Sequence, residues 1–431
     1  MKKLFLILYI TFLILSANET YALPVFARKY KTSCATCHVA VTKRNAFGEA
    51  FRRNGYFMPE RDAQLIKEPP LRLGAEAWKE LWPDAIWPST LPGNFPVAAC
   101  VRMKLEYITE KPQTGSQFGF SLPSGYSIFY AGGFGENIGF LGALTQNGLG
   151  RFYFRINDII GGQHNVNLKF GLMEPGITDG FTVNQHIILE DNGIWNYSAH
   201  GGFSAYNTRP AIELTGILGH YLQYCAGIAN GEAGFLKKPF DNKHGYGRIA
   251  YKLFGYGMDG SGILEDTTNM DYWTDNSLTL GFFGYFGNTT KTDTSNKNYN
   301  NEFNRFGFDA RLKLGNADIL GGAIFGKDKN PDNTPNSLSS LCYFVGCDYI
   351  FYPWLLAAVR FENGLSGFDK KDDENYYKFI PNITILYRQN IRISLEGLFE
   401  IKGDLTDGER TIQGDTKQAF KRFWFNWFVA F

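Results

Sequence analysis

The chain has 431 residues, a formal net charge of +1 and 16% aromatic side chains. This near-neutral charge, without a continuous basic groove, gives no reason to expect a nucleic-acid partner. Six cysteines are too few to build a disulfide scaffold over such a length. Beyond the first few residues, no stretch is long and apolar enough to cross a bilayer as a helix. These features exclude nucleic-acid binders, disulfide-rich scaffolds and helical membrane proteins.

The N-terminus has the pattern of a secretory signal. Lys2 and Lys3 precede an apolar run from Leu4 to Leu15, and a small residue, Ala22, closes the polar stretch that follows. The run is shorter than the roughly 20 residues that a membrane helix requires, so a retained anchor is the weaker alternative. The sequence predicts a signal peptide over residues 1–22 and a mature chain that begins outside the cytoplasm.

Residues 23–60 contain the motif with the clearest chemistry. Cys34, Cys37 and His38 form a C-x-x-C-H sequence, the attachment signature of a c-type haem. In this arrangement the two thiols bond the haem covalently, and the adjacent histidine ligates its iron from one side. Export supports this interpretation, because such haem is attached outside the cytoplasm. The sequence therefore predicts a small helical monohaem cytochrome c module with one haem c, in which His38 is the proximal iron ligand.

Three other interpretations of the cysteine pair stay open. A zinc half-site would need further Cys or His nearby, and the next histidine along the chain is His164. A thioredoxin-like pair would stand at the head of a helix in an α/β fold. The third alternative is a plain disulfide. The chain has no second C-x-x-C-H, so the predicted haem count is one.

The second axial ligand of the iron is predicted to be Met58. It lies twenty residues after His38, and the next methionine is Met103. A thioether ligand raises the reduction potential, which suits a centre that accepts electrons from a weak donor. The alternative is that Met58 has only a packing role and that water or another side chain is the second axial ligand. The other histidines are read as structural or surface residues, any one of which is an alternative ligand: His164, His186, His200, His220 and His244.

A short helix is predicted from Thr42 to Asn54, because apolar residues recur there on one face. Phe47 and Phe51 lie on that face. They are expected either to cover one side of the haem or to pack against the neighbouring domain. Basic residues outnumber acidic ones in this module, which suits neutralisation of the haem propionates, docking into an acidic lumen, or an ordinary solvated surface.

A linker is predicted over residues 61–70, and the remaining chain, 71–431, reads as an outer-membrane barrel. Along 97–107 and 305–314, apolar side chains occupy one face of an extended segment and charged side chains the other. A soluble sheet also alternates, but an outer-membrane barrel presents one face to lipid and the other to a water-filled lumen. We expect an all-β transmembrane antiparallel β-barrel of about sixteen strands in the bacterial outer membrane, with lipid as its surroundings.

The N-terminal module resembles one known family, the fused outer-membrane cytochrome–porins implicated in oxidising extracellular ferrous iron. The resemblance covers about thirty-five residues and is carried by Pro24, Phe26, Ala27, Arg28, Cys34, Cys37, His38, Asn45, Ala46, Phe47, Gly48, Phe51, Gly55 and Tyr56. It implies a monohaem domain that plugs or caps a barrel. It also implies that electrons pass from an extracellular donor such as ferrous iron to a periplasmic carrier, a soluble cytochrome.

The leading hypothesis is therefore an outer-membrane electron-transfer cytochrome. Whether it is also an enzyme, a ferrous iron oxidase, stays open, and no catalytic residue is assigned. Two alternatives stay open. One is a solute porin in which the haem module is a plug or a sensor. The other is outward electron transfer to extracellular acceptors, because the sequence does not assign a direction of flow.

Overall fold

The structure is a computed structural model. It describes residues 25–59, 62–66, 71–72, 80–81, 90–91, 96–109, 115–135, 137–178, 186–190, 207–231, 241–263, 274–293, 295–331, 333, 337–366, 375–402 and 420–431. The predicted signal peptide and half of the predicted linker lie outside these residues. Among the described helices, none is long and apolar enough to cross a membrane.

Sixteen antiparallel strands close into one barrel in the described part of the chain. Each strand pairs with the next along the sequence, and the last pairs with the first. The predicted sixteen-stranded barrel is thereby confirmed. The strands are β1 (Val97–Ile108), β2 (Phe118–Phe134), β3 (Ile138–Thr145), β4 (Gly148–Ile156), β5 (Asn167–Met173), β6 (Arg209–Leu218), β7 (Leu222–Asn230), β8 (Lys243–Lys252), β9 (Ser277–Thr292), β10 (Asn298–Leu314), β11 (Ala317–Asp328), β12 (Leu338–Tyr352), β13 (Leu355–Ser366), β14 (Asn375–Arg388), β15 (Ile391–Lys402) and β16 (Phe420–Ala430).

The barrel begins later than the predicted domain boundary at residue 71. Leu71–Arg72 and Thr90–Leu91 pair with each other in a separate two-stranded sheet, and the first barrel strand starts at Val97. Gly219 to Tyr221 and Gly315 to Asn316 are among the short turns at one end of the barrel. This end is called the short-turn end below, and in outer-membrane barrels such turns face the periplasm.

The outer surface of the barrel is apolar, as the alternating pattern predicts. On β10, Phe306 and Phe308 are 38% and 50% exposed, while the alternate residues Arg305 and Asp309 are buried. Successive side chains of a strand point to opposite faces, so this is the direct result of the two-residue period. An apolar belt of this kind matches the hydrocarbon core of a lipid bilayer.

The inner surface differs from the water-filled lumen that the sequence suggested. Arg305, Arg360 and Arg392 are among the largest fully buried side chains, and each lies on a barrel strand. The Arg305 guanidinium pairs with Asp328 at 2.9 Å, with both side chains at 0% exposure. Inward charges at these positions are therefore covered by other parts of the chain, whereas an open channel would leave them in water.

The N-terminal module is helical in its described part. It comprises α1 (Val25–Tyr30), a 3₁₀ turn (Cys34–Thr36) and α2 (Ala46–Arg53), and α3 (Asp62–Leu65) follows it within the predicted linker. Helix α2 begins four residues later than predicted, because the Asn45 side chain caps it by accepting from the Gly48 backbone N–H at 2.8 Å. Its predicted stop holds, since Gly55 adopts a positive φ of 70°.

The module lies inside the barrel at the short-turn end. The Lys43 Nζ atom is 2.6 Å from an Asp318 carboxylate oxygen on β11 and 2.5 Å from one of Asp348 on β12. Across the lumen, the Tyr56 hydroxyl meets the Tyr153 hydroxyl of β4 at 2.8 Å. The barrel therefore holds the module from opposite sides through buried polar contacts.

A loop segment meets the module within the lumen. Ile187 and Ile188 share one buried apolar cluster with Ala40 of the module. On β15, the Arg392 guanidinium donates to the backbone carbonyl of Ile187 and also, at 3.2 Å, to that of Val41. One buried arginine therefore joins the barrel wall, the loop and the module.

The buried Lys43 contact generates a first prediction. Replacing Lys43 by Met leaves the Asp348 carboxylate buried without its cation, which costs about 3 kcal/mol or more. We expect proteinase K to cut the module about 100-fold faster in folded Lys43→Met protein, since cleavage follows the population of the undocked state.

The matched control is Lys329→Met. Lys329 also pairs with a carboxylate, that of Glu302, but the two side chains are 69% and 57% exposed. Such pairs contribute little to stability, so cleavage of the module should not change. Equal cleavage rates in the Lys43→Met and wild-type proteins would show that this ion pair does not hold the module.

Candidate haem-binding site

The C-x-x-C-H segment forms a tight turn at the edge of the module. Cys34–Thr36 is a 3₁₀ turn, and the Ser33 hydroxyl caps it by accepting from the Ala35 backbone N–H at 3.1 Å. The backbone N–H of His38 donates to the Cys34 carbonyl at 2.9 Å. All six cysteines are free thiols, so Cys34 and Cys37 are not joined in a disulfide.

One cavity of about 270 Å³ lies beside this turn. Cys34, Cys37 and His38 all line it, and so does Met58. The structure therefore brings together the four side chains that the sequence proposed as haem contacts. The cavity reaches the surface, because Ser33 is exposed and also lines it.

Helix α2 is bound closely to the turn. The Asn45 side-chain amide donates to the carbonyls of Ala35 and Thr36 at 3.2 and 3.0 Å. A Cβ atom on Gly48 would overlap the carbonyl oxygen of Cys37, so only glycine permits this approach. These contacts fix the two cysteines relative to the helix that forms one side of the cavity.

The environment of His38 suits a metal ligand. The side chain lines the cavity, and its Nδ1 atom is buried without a hydrogen-bond partner in the described part of the chain. Burial lowers the pKa of His38 to about 4, and the Arg44 charge adds to this, against smaller opposing effects of the Lys43 backbone and Glu49. The imidazole is thus neutral at physiological pH, the form that binds iron.

Met58 is buried and held in place by the segment that follows it. Its backbone N–H donates to an Asp62 carboxylate oxygen at 2.7 Å, and the Tyr30 hydroxyl donates to the same oxygen at 2.6 Å. Of the histidines considered as alternative ligands, the four within the described residues do not line the cavity, and His200 lies outside those residues.

Aromatic rings form much of the module side of the cavity. Phe26 stacks on Tyr56 with ring centroids 5.3 Å apart, and Phe51 meets Phe26 edge-on at 4.9 Å. All three line the cavity. Phe51 lines the cavity, whereas Phe47 is buried in the module core and does not line it.

A buried carboxylate organises the basic residues of α2. Glu49 lies 2.6 Å from Arg44, 3.2 Å from Arg52 and 3.7 Å from Arg53. Burial alone would raise the pKa of Glu49, but the neighbouring guanidinium groups reverse this and hold it well below its usual range. Two of these cations, Arg44 and Arg52, also line the cavity, where they can meet the carboxylates of a ligand.

The residues present fit a c-type haem. The cavity combines two free thiols, a neutral imidazole, a thioether, aromatic rings and two cations, and these match the chemical groups of that cofactor. Of the other interpretations, the disulfide is not formed, and the cysteine pair lies in a 3₁₀ turn instead of at the head of an α-helix. Among the described residues, no group of three or more His, Cys, Asp or Glu could hold a bare metal ion.

Sequence reasoning missed the contribution of the barrel to this cavity. Ala98, Cys100 and Phe129 line it from β1 and β2, and Phe428 and Ala430 line it from β16. In the sequence, Cys100 is merely one residue of an alternating strand. No local signal marks it, because only closure of the barrel brings β1 and β16 to the module.

The barrel is similar in fold to solved outer-membrane proteins. OmpT, an outer membrane protein of Vibrio cholerae, is similar with a TM-score of 0.53 and 10% sequence identity. The match covers 78% of this chain and 98% of the OmpT chain. The outer membrane channel DcaP of Acinetobacter baumannii has a TM-score of 0.52 and 12% sequence identity, over 84% of this chain and 100% of the DcaP chain. An anion-selective porin from Comamonas acidovorans has a TM-score of 0.53 and 13% sequence identity, over 78% of this chain and 98% of the porin chain.

These likenesses establish the fold alone: a porin-like barrel of the outer-membrane type. No protein-family model matches the chain, and no curated protein matches it.

The cluster around Glu49 generates a second prediction. Glu49→Gln removes the buried carboxylate that three partly buried guanidinium groups share, so the module should lose about 3 kcal/mol or more. The folded-state pKa of Glu49 lies below its usual value near 4.5. Its stabilisation is therefore complete at neutral pH and is lost as the pH falls below about 4.5 toward the folded-state pKa.

Proteinase K cleavage of the module, followed from pH 7 to pH 3, measures this effect. The wild-type protein should lose protection as the pH falls, and the Glu49→Gln protein should be cut rapidly already at pH 7. Glu106→Gln is the control, because Glu106 is 28% exposed where it pairs with Arg422. Wild-type protection in the Glu49→Gln protein at pH 7 would contradict this account.

Proposed function

We propose that this protein is an outer-membrane electron-transfer cytochrome in which a porin-like barrel holds a monohaem module in its lumen. The observation that carries the proposal is the cavity lined by Cys34, Cys37, His38 and Met58. The apolar outer belt and the porin-like fold support a location in the outer membrane. The resemblance of the module to fused cytochrome–porins supports the same conclusion.

Four residues of the cavity have an assigned role in this proposal. The thiols of Cys34 and Cys37 would bind the haem covalently, and His38 and Met58 would be ligands of its iron. When bound, the haem supplies an iron that carries one electron at a time between its ferrous and ferric states. Burial keeps the His38 imidazole neutral, so no proton competes with the iron for the lone pair of the ligating nitrogen.

The position of the cavity supports exchange of electrons with a periplasmic carrier. Ala98 and Cys100 are the second and fourth residues of β1, so the cavity lies inside the barrel near its short-turn end. Ser33 and Ala35 beside the cysteines are exposed. A soluble periplasmic cytochrome would meet the module at these residues. We infer that the donor is extracellular ferrous iron, on the strength of the family resemblance.

A solute porin with a haem-bearing plug is the second candidate function. The comparisons favour it, because the structures similar to this chain include an outer membrane channel and an anion-selective porin. The buried inward arginines and the module in the lumen favour the electron-transfer proposal. The two functions differ in whether the intact protein conducts ions.

The role of Met58 is tested by the Met58→Ala protein. We expect a lower midpoint potential and loss of the thioether-to-iron charge-transfer absorption, because the sulfur ligand is removed. Met103→Ala is the matched control, since Met103 lies on the apolar face of β1 and should leave the spectrum unchanged. An unaltered spectrum and potential in the Met58→Ala protein would exclude Met58 as a ligand.

The overall function is tested on the purified wild-type protein. Electron transfer predicts one covalent haem per chain, rapid haem reduction when ferrous iron is added without oxygen, and negligible ion conductance in a planar bilayer. The Cys34→Ser/Cys37→Ser protein should lack the haem and the reduction signal. Steady conductance of the wild-type protein, with haem that ignores ferrous iron, would replace the proposal by the porin function.

A further inference from the structure

Three neighbouring barrel strands present a small apolar patch to the C-x-x-C-H turn. We call it the wall patch. Its members are inward-facing residues of β1, β2 and β16 that line the 270 Å³ cavity: Ala98, Cys100, Phe129, Ala131, Phe428 and Ala430. The strand register makes the patch continuous, because Ala98 lies opposite Phe129 and Cys100 lies opposite Ala430.

On β1, the wall patch interrupts a run of charged residues that face the lumen. Farther along β1, the alternate residues on the same face are Arg102, Lys104 and Glu106. The face becomes small and apolar only at Ala98 and Cys100, the two positions that line the cavity. Small apolar side chains leave room for a flat apolar ligand and do not bury a charge against it.

The module contacts the wall patch on two sides and leaves the cavity between them. Val25 packs with Ala98 and Ala131 in one buried cluster. Val41 packs against a second cluster formed by Cys100, Phe428 and Ala430. Because Val25 and Val41 both reach the barrel, the space beside Cys34 and Cys37 is enclosed by the wall and not by the module alone.

We propose that the barrel itself forms one side of the haem site, so that the haem is held between the module and the wall patch, with the Cys100 thiol in contact with it. This rests on the proposed function. It makes the module incomplete as a haem-binding unit when it is separated from the barrel. It also assigns a ligand contact to a thiol that no motif marks.

The first test fills the cavity from the barrel side. Ala98→Phe places a large side chain in the space of the haem, and we expect covalently bound haem per folded barrel to fall roughly tenfold, because overpacking of this kind is destabilising. Val101→Phe is the matched control, because Val101 lies on the opposite face of the same strand and should leave the haem content at the wild-type level. Heat-modifiable electrophoretic mobility counts the folded barrels in each sample.

The second test does not depend on a bulky substitution. The Cys100 thiol is labelled with a maleimide in wild-type protein and in Cys34→Ser/Cys37→Ser protein, and the modified site is read by mass spectrometry. We expect bound haem to slow labelling of Cys100 by about tenfold or more, as burial of a contact surface does. Cys225 is the reference, because it is 7% exposed and Cys100 is 8% exposed, but Cys225 lines a different cavity.

The outcomes separate this inference from the proposed function. Full haem content in the Ala98→Phe protein, or equal Cys100 labelling with and without haem, overturns the inference and leaves the electron-transfer proposal standing. A wild-type protein without covalent haem overturns both. Loss of haem in the Ala98→Phe protein, together with haem-dependent protection of Cys100 and not of Cys225, supports the composite site.

Discussion

A closed sheet in lipid must turn every second side chain toward its lumen, and the rest of this structure depends on that constraint. The lipid-facing positions take apolar residues such as Phe308, so the charges of the strands collect on the inside. Many of those charges are buried here, and a buried charge needs partners. The barrel strands pair some of them internally, and the N-terminal module and the segment 186–190 supply partners for others, including Arg392.

The same constraint explains why the module is a fixed part of the barrel. Lys43 is held by two carboxylates of the wall, and a Cβ atom on Gly139 of β3 would overlap the carbonyl oxygen of Gly55. The barrel and module are therefore shaped to each other at the level of single atoms. A lumen occupied in this way leaves less open water for the passage of solutes than an empty barrel would.

The module was largely predictable from short stretches of sequence. Cys34, Cys37 and His38 stand within five residues, and the turn that places them together is local. Phe47 and Phe51 are both buried on α2, but only Phe51 lines the cavity, and only the tertiary structure shows which of the two reaches it. Met58 reaches the same cavity through Asp62, a contact that spacing alone does not reveal.

The sequence by itself determined the barrel, its strand number and the proposed haem ligands, because a period of two along each strand and a five-residue motif are properties of neighbouring residues. Only the tertiary structure decided which wall faces the motif and that many of the lumen charges are buried. Cys100 and Ala430 meet because the last strand pairs with the first. The seam closes when strands more than 300 residues apart come together, and no local pattern encodes which side of the barrel will then receive the module.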